Sequence, residues 1–95
     1  MAFKILYQTR ALSDLEEIFE WSREHHPDTT ERFGNELFDY LDRLKAFPYL
    51  GAAIRSGSRP RRRLIYPPLL IDYRIDERRE AIRILRIQHA ARRQT

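Results

Sequence analysis

Arginine is concentrated in the second half of this chain, where its guanidinium groups could bind an anionic partner. The stretch from Ile54 to Thr95 has twelve arginines and four acidic residues, whereas Met1 to Ala53 has six basic and ten acidic residues. A guanidinium can hold a phosphate or a carboxylate through two parallel hydrogen bonds, which a lysine ammonium cannot do. The pattern therefore predicts an anionic partner. The alternative is a solvated surface, or ion pairs with acidic residues of the first half.

A histidine near the end of the chain is the best candidate in the sequence for carrying a proton. An imidazole titrates near neutral pH, so His89 could act in proton transfer. It could equally be a residue at the edge of the core that is hydrogen-bonded to the backbone. Two arginines also have structural alternatives: Arg62 could support the fold, and Arg74 could pair with Asp72 on the same face of a strand.

Length and composition restrict the class of protein. Ninety-five residues predict a single domain spanning 1–95, and a hydrophobic content of 42% is enough to form a core. The chain has no cysteine, and no third ligand lies near His25 and His26, so neither a metal nor another cofactor is predicted. No long apolar run resembles a signal peptide or a membrane span, which predicts a soluble, cytoplasmic protein.

The first half predicts one strand and two amphipathic helices. Alternating apolar residues over 3–8 indicate a half-buried strand. A helix is expected from Thr9 to the residues before Pro27, and a second one from about Asp28 to Phe47. The predicted buried stripes are Leu12, Leu15, Ile18, Phe19 and Ser22 in the first helix, and Phe33, Leu37, Tyr40, Leu41 and Leu44 in the second. A short connection makes the two helices an antiparallel hairpin.

The second half predicts a loop and three strands. Glycine, serine and proline make 51–60 a loop. Strands are expected over 61–66, 69–75 and 81–89, with the last one in the sheet interior because apolar residues fall on both of its faces. The predicted fold is α+β: a small antiparallel-type sheet in the order β-α-α-β-β-β, with the helical hairpin on one face.

Several short motifs in this order resemble the RelE/ParE superfamily of bacterial type II toxins. They are Asp14-Leu15-Glu16-Glu17-Ile18, Leu44 with Phe47-Pro48 and Gly51, Arg62-Arg63-Leu64-Ile65 before Pro68, Tyr73-Arg74-Ile75, and Ile84-Leu85-Arg86-Ile87 followed by His89 and Arg92. The resemblance covers nearly the whole chain. It implies a growth-inhibiting toxin that a cognate antitoxin wraps and blocks. An apolar and basic sheet face would suit an acidic helix or an added strand. The predicted antitoxin- or target-binding residues are Arg61, Arg63, Arg74, Arg86, His89, Arg92 and Arg93.

The resemblance leaves two mechanisms open. Toxins of the RelE branch cut messenger RNA on the ribosome, for which Arg61, Arg63 and Arg74 could hold the phosphate and His89 could transfer the proton. His89 and Arg74 are therefore the predicted catalytic residues if the protein is a nuclease, and no metal is required. The tyrosine or lysine cluster of well-characterised nuclease members has no clear counterpart after His89.

Toxins of the ParE branch bind DNA gyrase and need a docking surface instead of an acid–base pair. This reading is favoured, because the sequence supplies such a surface more clearly than it supplies proton carriers. A third hypothesis is a nucleic-acid-binding module without toxicity, but most aromatic residues fall on predicted core stripes, which leaves few for base stacking. An exposed edge strand would also permit a homodimer.

Overall fold

Two helices and five strands make up the fold. The computed structural model describes residues 2–55, 57 and 59–92. The helices are α1 (Thr9–His25) and α2 (Thr30–Asp42), followed by a short 3-10 helix (Arg43–Lys45). The strands are β1 (Lys4–Tyr7), β2 (Ala52–Ile54), β3 (Arg61–Tyr66), β4 (Leu69–Asp76) and β5 (Ala81–His89), and a second 3-10 helix (Ala90–Arg92) comes after them. Among the described helices, none combines the length and the apolar character needed to cross a membrane.

The strands form one mixed sheet in the order β1-β5-β4-β3-β2. Three pairings are antiparallel, as predicted, whereas β1 pairs with β5 in parallel. The expected α+β fold is confirmed, and β5 is an interior strand as its apolar residues on both faces indicate. The parallel pair arises because the helical hairpin between β1 and the later strands returns the chain to the same end of the sheet.

The short strand β2 lies inside the segment that was predicted to be a loop. Three residues are too few to show an alternating pattern, so the sequence gives no local signal for it. Tertiary contacts hold it in place: the Gly51 amide donates to the Tyr73 hydroxyl at 2.8 Å, and that hydroxyl donates to the Pro48 carbonyl at 2.7 Å. Tyr73 therefore fixes the entry into β2 from the centre of the sheet.

The core lies between the helical hairpin and one face of the sheet. Leu37, Leu41 and Leu44 are fully buried against sheet residues that include Ile71 and Ile84. The stripe predicted for α1 is wrong at one position, since Leu12 is 50% exposed and Ala11 is fully buried in its place. A small residue at position 11 allows close approach of α1 to β5, and the larger leucine one position later is turned outward. One face of the sheet is thus covered, and the other is free of helices.

Candidate functional site

Strand alternation places the arginines of three strands on the face of the sheet that the helices do not cover. Leu64, Tyr73 and Ile84 point into the core. Their odd-spaced neighbours in β3, β4 and β5 therefore point to the opposite face. We call this surface the cationic face; it comprises Arg61, Arg63, Arg74 and Arg83, together with Arg59 from the loop before β3.

Two arginines of the cationic face lie beside one buried carboxylate, which offsets one of their two charges. Arg63 donates from Nε and Nη2 to Asp72 at 2.6 and 3.0 Å, and Arg61 lies 3.6 Å from the same group. The predicted pairing of Asp72 with Arg74 is wrong. Asp72 stands directly opposite Arg63 in the register of β3 and β4, and a facing cross-strand residue is closer than the next residue on the same side of one strand. The bond to Asp72 raises the pKa of Arg63.

Arg74, in contrast, has no anionic partner among the described residues. It stands opposite Arg83 in the sheet, and its Nε is buried without a hydrogen-bond acceptor within that part of the chain. Desolvation, followed by the charges of Arg59, Arg61 and Arg83, lowers the pKa of Arg74. Like charges that face each other across strands are destabilising, so this arrangement costs free energy in the absence of an anion.

A cleft of about 830 Å³ opens beside Arg74 at the end of the β4–β5 hairpin. It contains five arginines and two acidic residues, and Asp76 lies 3.9 Å from Arg83. Sequence reasoning missed Arg59 and Arg83 as members of this group. The alternation of β5 does signal Arg83, because it is the polar residue between Ile82 and Ile84. The residues lining the cleft are Gln8, Arg59, Arg74, Ile75, Asp76, Glu77, Arg78, Arg79 and Arg83.

A smaller hollow of about 280 Å³ adjoins the same arginine on the side of β2. Tyr49 lines it, is 57% exposed, and donates its hydroxyl proton to the Glu77 carboxylate, which raises the pKa of Tyr49. Arg62 lies over the Tyr49 ring at 5.0 Å and donates to the Gly51 carbonyl at 2.7 Å. The prediction that Arg62 is structural agrees with these contacts. The hollow presents apolar surface beside the arginines.

His89 lies far from the cleft beside Arg74. It stands opposite Leu69 in the sheet, whereas Arg74 stands opposite Arg83, so five strand residues separate the two positions on β4. At the rise of a β-strand this is roughly 17 Å. The Nδ1 atom of His89 accepts a hydrogen bond from the Ala91 amide at 3.2 Å. The two residues predicted to be catalytic in a nuclease are therefore not brought together.

Arg86 is engaged in an ion pair with the first helix. Its Nε donates to Asp14 at 2.9 Å, and the same carboxylate accepts the Ile87 amide at 2.8 Å. The register shifts between Asp72 and Tyr73, which leaves Leu85 as an extra residue in β5. Asp14 thus accepts the hydrogen bond of a backbone amide next to this bulge.

Two more predicted binding residues follow β5. The backbone of Arg92 ends the second 3-10 helix, while its side chain and the whole of Arg93 lie outside the described residues.

Comparison with known proteins agrees with the fold and the sequence motifs. The chain is similar to the chromosomal ParDE toxin–antitoxin system of P. aeruginosa, with a TM-score of 0.75, 20% identity, and coverage of 93% of this chain and 96% of that one. It is also similar to the RelBE2 toxin–antitoxin complex of Mycobacterium tuberculosis, with a TM-score of 0.66, 20% identity, and coverage of 94% and 99%. The archaeal RelE–RelB complex of Pyrococcus horikoshii OT3 matches with a TM-score of 0.59, 14% identity, and coverage of 98% and 100%. At these identities the likeness shows a shared fold.

Sequence comparison assigns the family. None of the curated proteins matches the chain significantly. A family model, however, matches residues 5–94, which is almost the whole chain; it is the model of the ParE toxin of the type II toxin–antitoxin system parDE. The chain therefore belongs to the ParE toxin family of type II toxin–antitoxin systems.

Proposed function

We propose that the protein inhibits growth by binding DNA gyrase and that a cognate antitoxin neutralises it. The observation that carries the choice of gyrase over messenger RNA is the separation of His89 from the arginine cluster. A nuclease needs a proton carrier beside the phosphate that it attacks. Here the described residues lining the cleft beside Arg74 include neither histidine nor lysine, and arginine does not release its proton near neutral pH. The two carboxylates of the cleft are already engaged, since Asp76 lies 3.9 Å from Arg83 and Glu77 accepts the Tyr49 hydroxyl. Binding without bond cleavage has no such requirement.

The proposed antitoxin partner is supported by the structures that share this fold. Those of M. tuberculosis and P. horikoshii are complexes of a toxin with its antitoxin. On this chain, Arg61 and Arg74 line the open hollow beside β2 and are available to acidic side chains. Arg63 and Arg86 already hold Asp72 and Asp14, so in this proposal they contribute by shaping the surface. His89, Arg92 and Arg93 remain proposed contact residues at the other end of β5.

The apolar part of the proposed docking surface lies around the edge strand β2. Phe47, Tyr49 and Leu50 are 64, 57 and 45% exposed, although all three are large and lie within four residues of one another. Exposed apolar side chains beside an edge strand are typical of a site for an added strand or an amphipathic helix. Apolar anchors of this kind would supply affinity, and the neighbouring arginines would set the register of an acidic segment.

The decisive experiment compares the two targets with one preparation of purified toxin. We expect inhibition of gyrase-catalysed supercoiling at toxin concentrations that leave messenger RNA intact in a translation extract. Adding the antitoxin should restore supercoiling. Cleavage of message at ribosome-positioned sites with normal supercoiling would instead assign the protein to the nuclease mechanism. An Arg32→Met variant, altered on the exposed side of α2, is the matched control and should inhibit gyrase like the unaltered protein.

A further inference from the structure

We propose that the cleft beside Arg74 is a binding site for a phosphate group, with Arg59, Arg74 and Arg83 as the residues that hold it. Gyrase binding through a protein surface does not require such a site, so this inference goes beyond the proposed function. The phosphate could be a free ion or belong to a nucleic-acid backbone. The chemistry is the same in both cases.

The first support is the origin of the guanidinium groups. Arg74 and Arg83 come from the adjacent strands β4 and β5, and Arg59 comes from the loop before β3. Arg61 and Arg83 flank Arg74 from the two neighbouring strands, and the charges of all three neighbours act on it. Donors that approach from several directions suit a tetrahedral anion whose oxygens point several ways.

The second support is that Arg74 retains unused hydrogen-bonding capacity. Its Nε is buried, and no acceptor within the described part of the chain reaches it. Two acidic residues line the same cleft without pairing with Arg74: Asp76 is 3.9 Å from Arg83, and Glu77 accepts the Tyr49 hydroxyl. A buried donor of this kind is costly unless something completes its hydrogen bond. An oxyanion in the cleft would provide the acceptor and also offset the repulsion among the arginines.

On the same face a carboxylate is bound by arginines, and their arrangement differs from that in the cleft beside Arg74. Asp72 is held by the fork of Arg63 through two bonds of 2.6 and 3.0 Å, with Arg61 at 3.6 Å as the second cation. One guanidinium is thus sufficient for most of the hydrogen bonding of a planar carboxylate. The cleft beside Arg74 has a much larger excess of positive charge, which favours a phosphate over a single carboxylate.

The test is thermal unfolding of the full chain with added orthophosphate, matched to sodium chloride at equal ionic strength. A ligand at ten times its Kd should raise the Tm of a domain of this size by roughly 5–10 °C. We expect this rise in the unaltered protein and in Arg32→Met, which loses one exposed charge from α2. We expect it to disappear in Arg74→Met, which keeps an unbranched apolar stem. Arg83→Gln provides an independent answer if Arg74→Met does not fold.

A second arm replaces orthophosphate with a short DNA duplex and measures binding directly. The site is supported if orthophosphate or DNA binds and if this binding depends on Arg74 and Arg83. Each measurement uses one source of phosphate, so the result shows which source the protein binds. The proposal is overturned if neither source binds the unaltered protein. It is also overturned if the Tm rise persists without Arg74 and Arg83. None of these measurements involves gyrase, so a negative result for phosphate binding would not contradict the proposed function.

Discussion

At the scale of single residues, Asp72 is the buried carboxylate that contacts two arginines of the cationic face. Its carboxylate is buried and pairs with Arg63, whose side chain is 18% exposed. Replacing one member of a buried pair leaves the other charge without compensation. We expect Asp72→Asn to lower the free energy of unfolding by about 2–3 kcal/mol, measured by urea denaturation.

The contrasting control for Asp72 is an exposed pair in the same chain. Asp42 lies 3.4 Å from Lys45, and their side chains are 60% and 47% exposed. Exposed pairs contribute little because water screens them, so Asp42→Asn should change stability by less than about 0.5 kcal/mol. Equal effects of the two substitutions would mean that burial of Asp72 does not strengthen its interactions.

Tyr7 contributes a pH dependence of stability in the alkaline range. Burial, with a smaller contribution from the charge of Asp42, raises the pKa of Tyr7 from 10.0 to about 12. The unfolded chain releases this proton first, so the stabilisation is complete below about pH 10 and is lost as the pH rises towards 12. Because Tyr7 is only half-buried, we expect a loss of about 1 kcal/mol in urea titrations. Tyr7→Phe should make the fall between pH 10 and 12 shallower, and an unchanged slope would contradict the assignment.

At the scale of the elements, the bulge in β5 depends on a residue in α1. Asp14 accepts the Ile87 amide at 2.8 Å and pairs with Arg86 at 2.9 Å. We expect Asp14→Ala to cost about 2–3 kcal/mol and to speed hydrogen exchange of the Ile87 amide, because a buried amide and a guanidinium lose their acceptor together. Glu16→Ala, on the exposed side of the same helix, should leave both measurements nearly unchanged. Slow exchange at Ile87 in Asp14→Ala would show that the bulge is held by other contacts.

The residue before β2 must be a glycine, because a larger side chain at position 51 would clash with its neighbours. A Cβ at position 51 would lie 2.7 Å from the Arg63 carbonyl oxygen and 2.8 Å from the Tyr73 ring. One of these neighbours is backbone, so it cannot move aside without disturbing the β2–β3 pairing. We expect Gly51→Ala to destabilise by about 1–3 kcal/mol in thermal unfolding. At Gly57 a Cβ would meet nothing within 4 Å, and its φ of 73° alone should make Gly57→Ala cost about 1 kcal/mol.

Local sequence signals predicted most of the elements, whereas contacts between distant residues decided the rest. The predicted strands 61–66 and 81–89 coincide with β3 and β5, because alternation and turn residues are local features. The β5 bulge could not be read in the same way, since it depends on Asp14, which is 73 residues from Ile87. The site was predicted in part: Arg74 was identified, while its position opposite Arg83 becomes evident only from the strand register.

At the scale of the whole molecule, the two halves of the chain have net charges of opposite sign. The first half of the chain, which contains both helices, has a net charge of −4, and the second half, which contains β3 to β5, has one of +8. Such a molecule is oriented by the field of a charged partner before contact. Association with an acidic antitoxin should therefore slow by about tenfold or more between low and high salt, measured by stopped-flow mixing. A rate independent of salt would contradict electrostatic steering.

The parallel pairing of β1 with β5 also makes the cleft depend on two segments that are far apart in the sequence. Gln8, next to β1, and Arg83, in β5, line the same cleft, although 75 positions separate them in the chain. Within the described structure β1 pairs only with β5, so an incomplete chain without β5 has neither the edge of the sheet nor that cleft. Pairings between distant segments also form slowly, because the intervening chain must be ordered first. The cleft is thus complete only after β5 has been synthesised and has paired with β1.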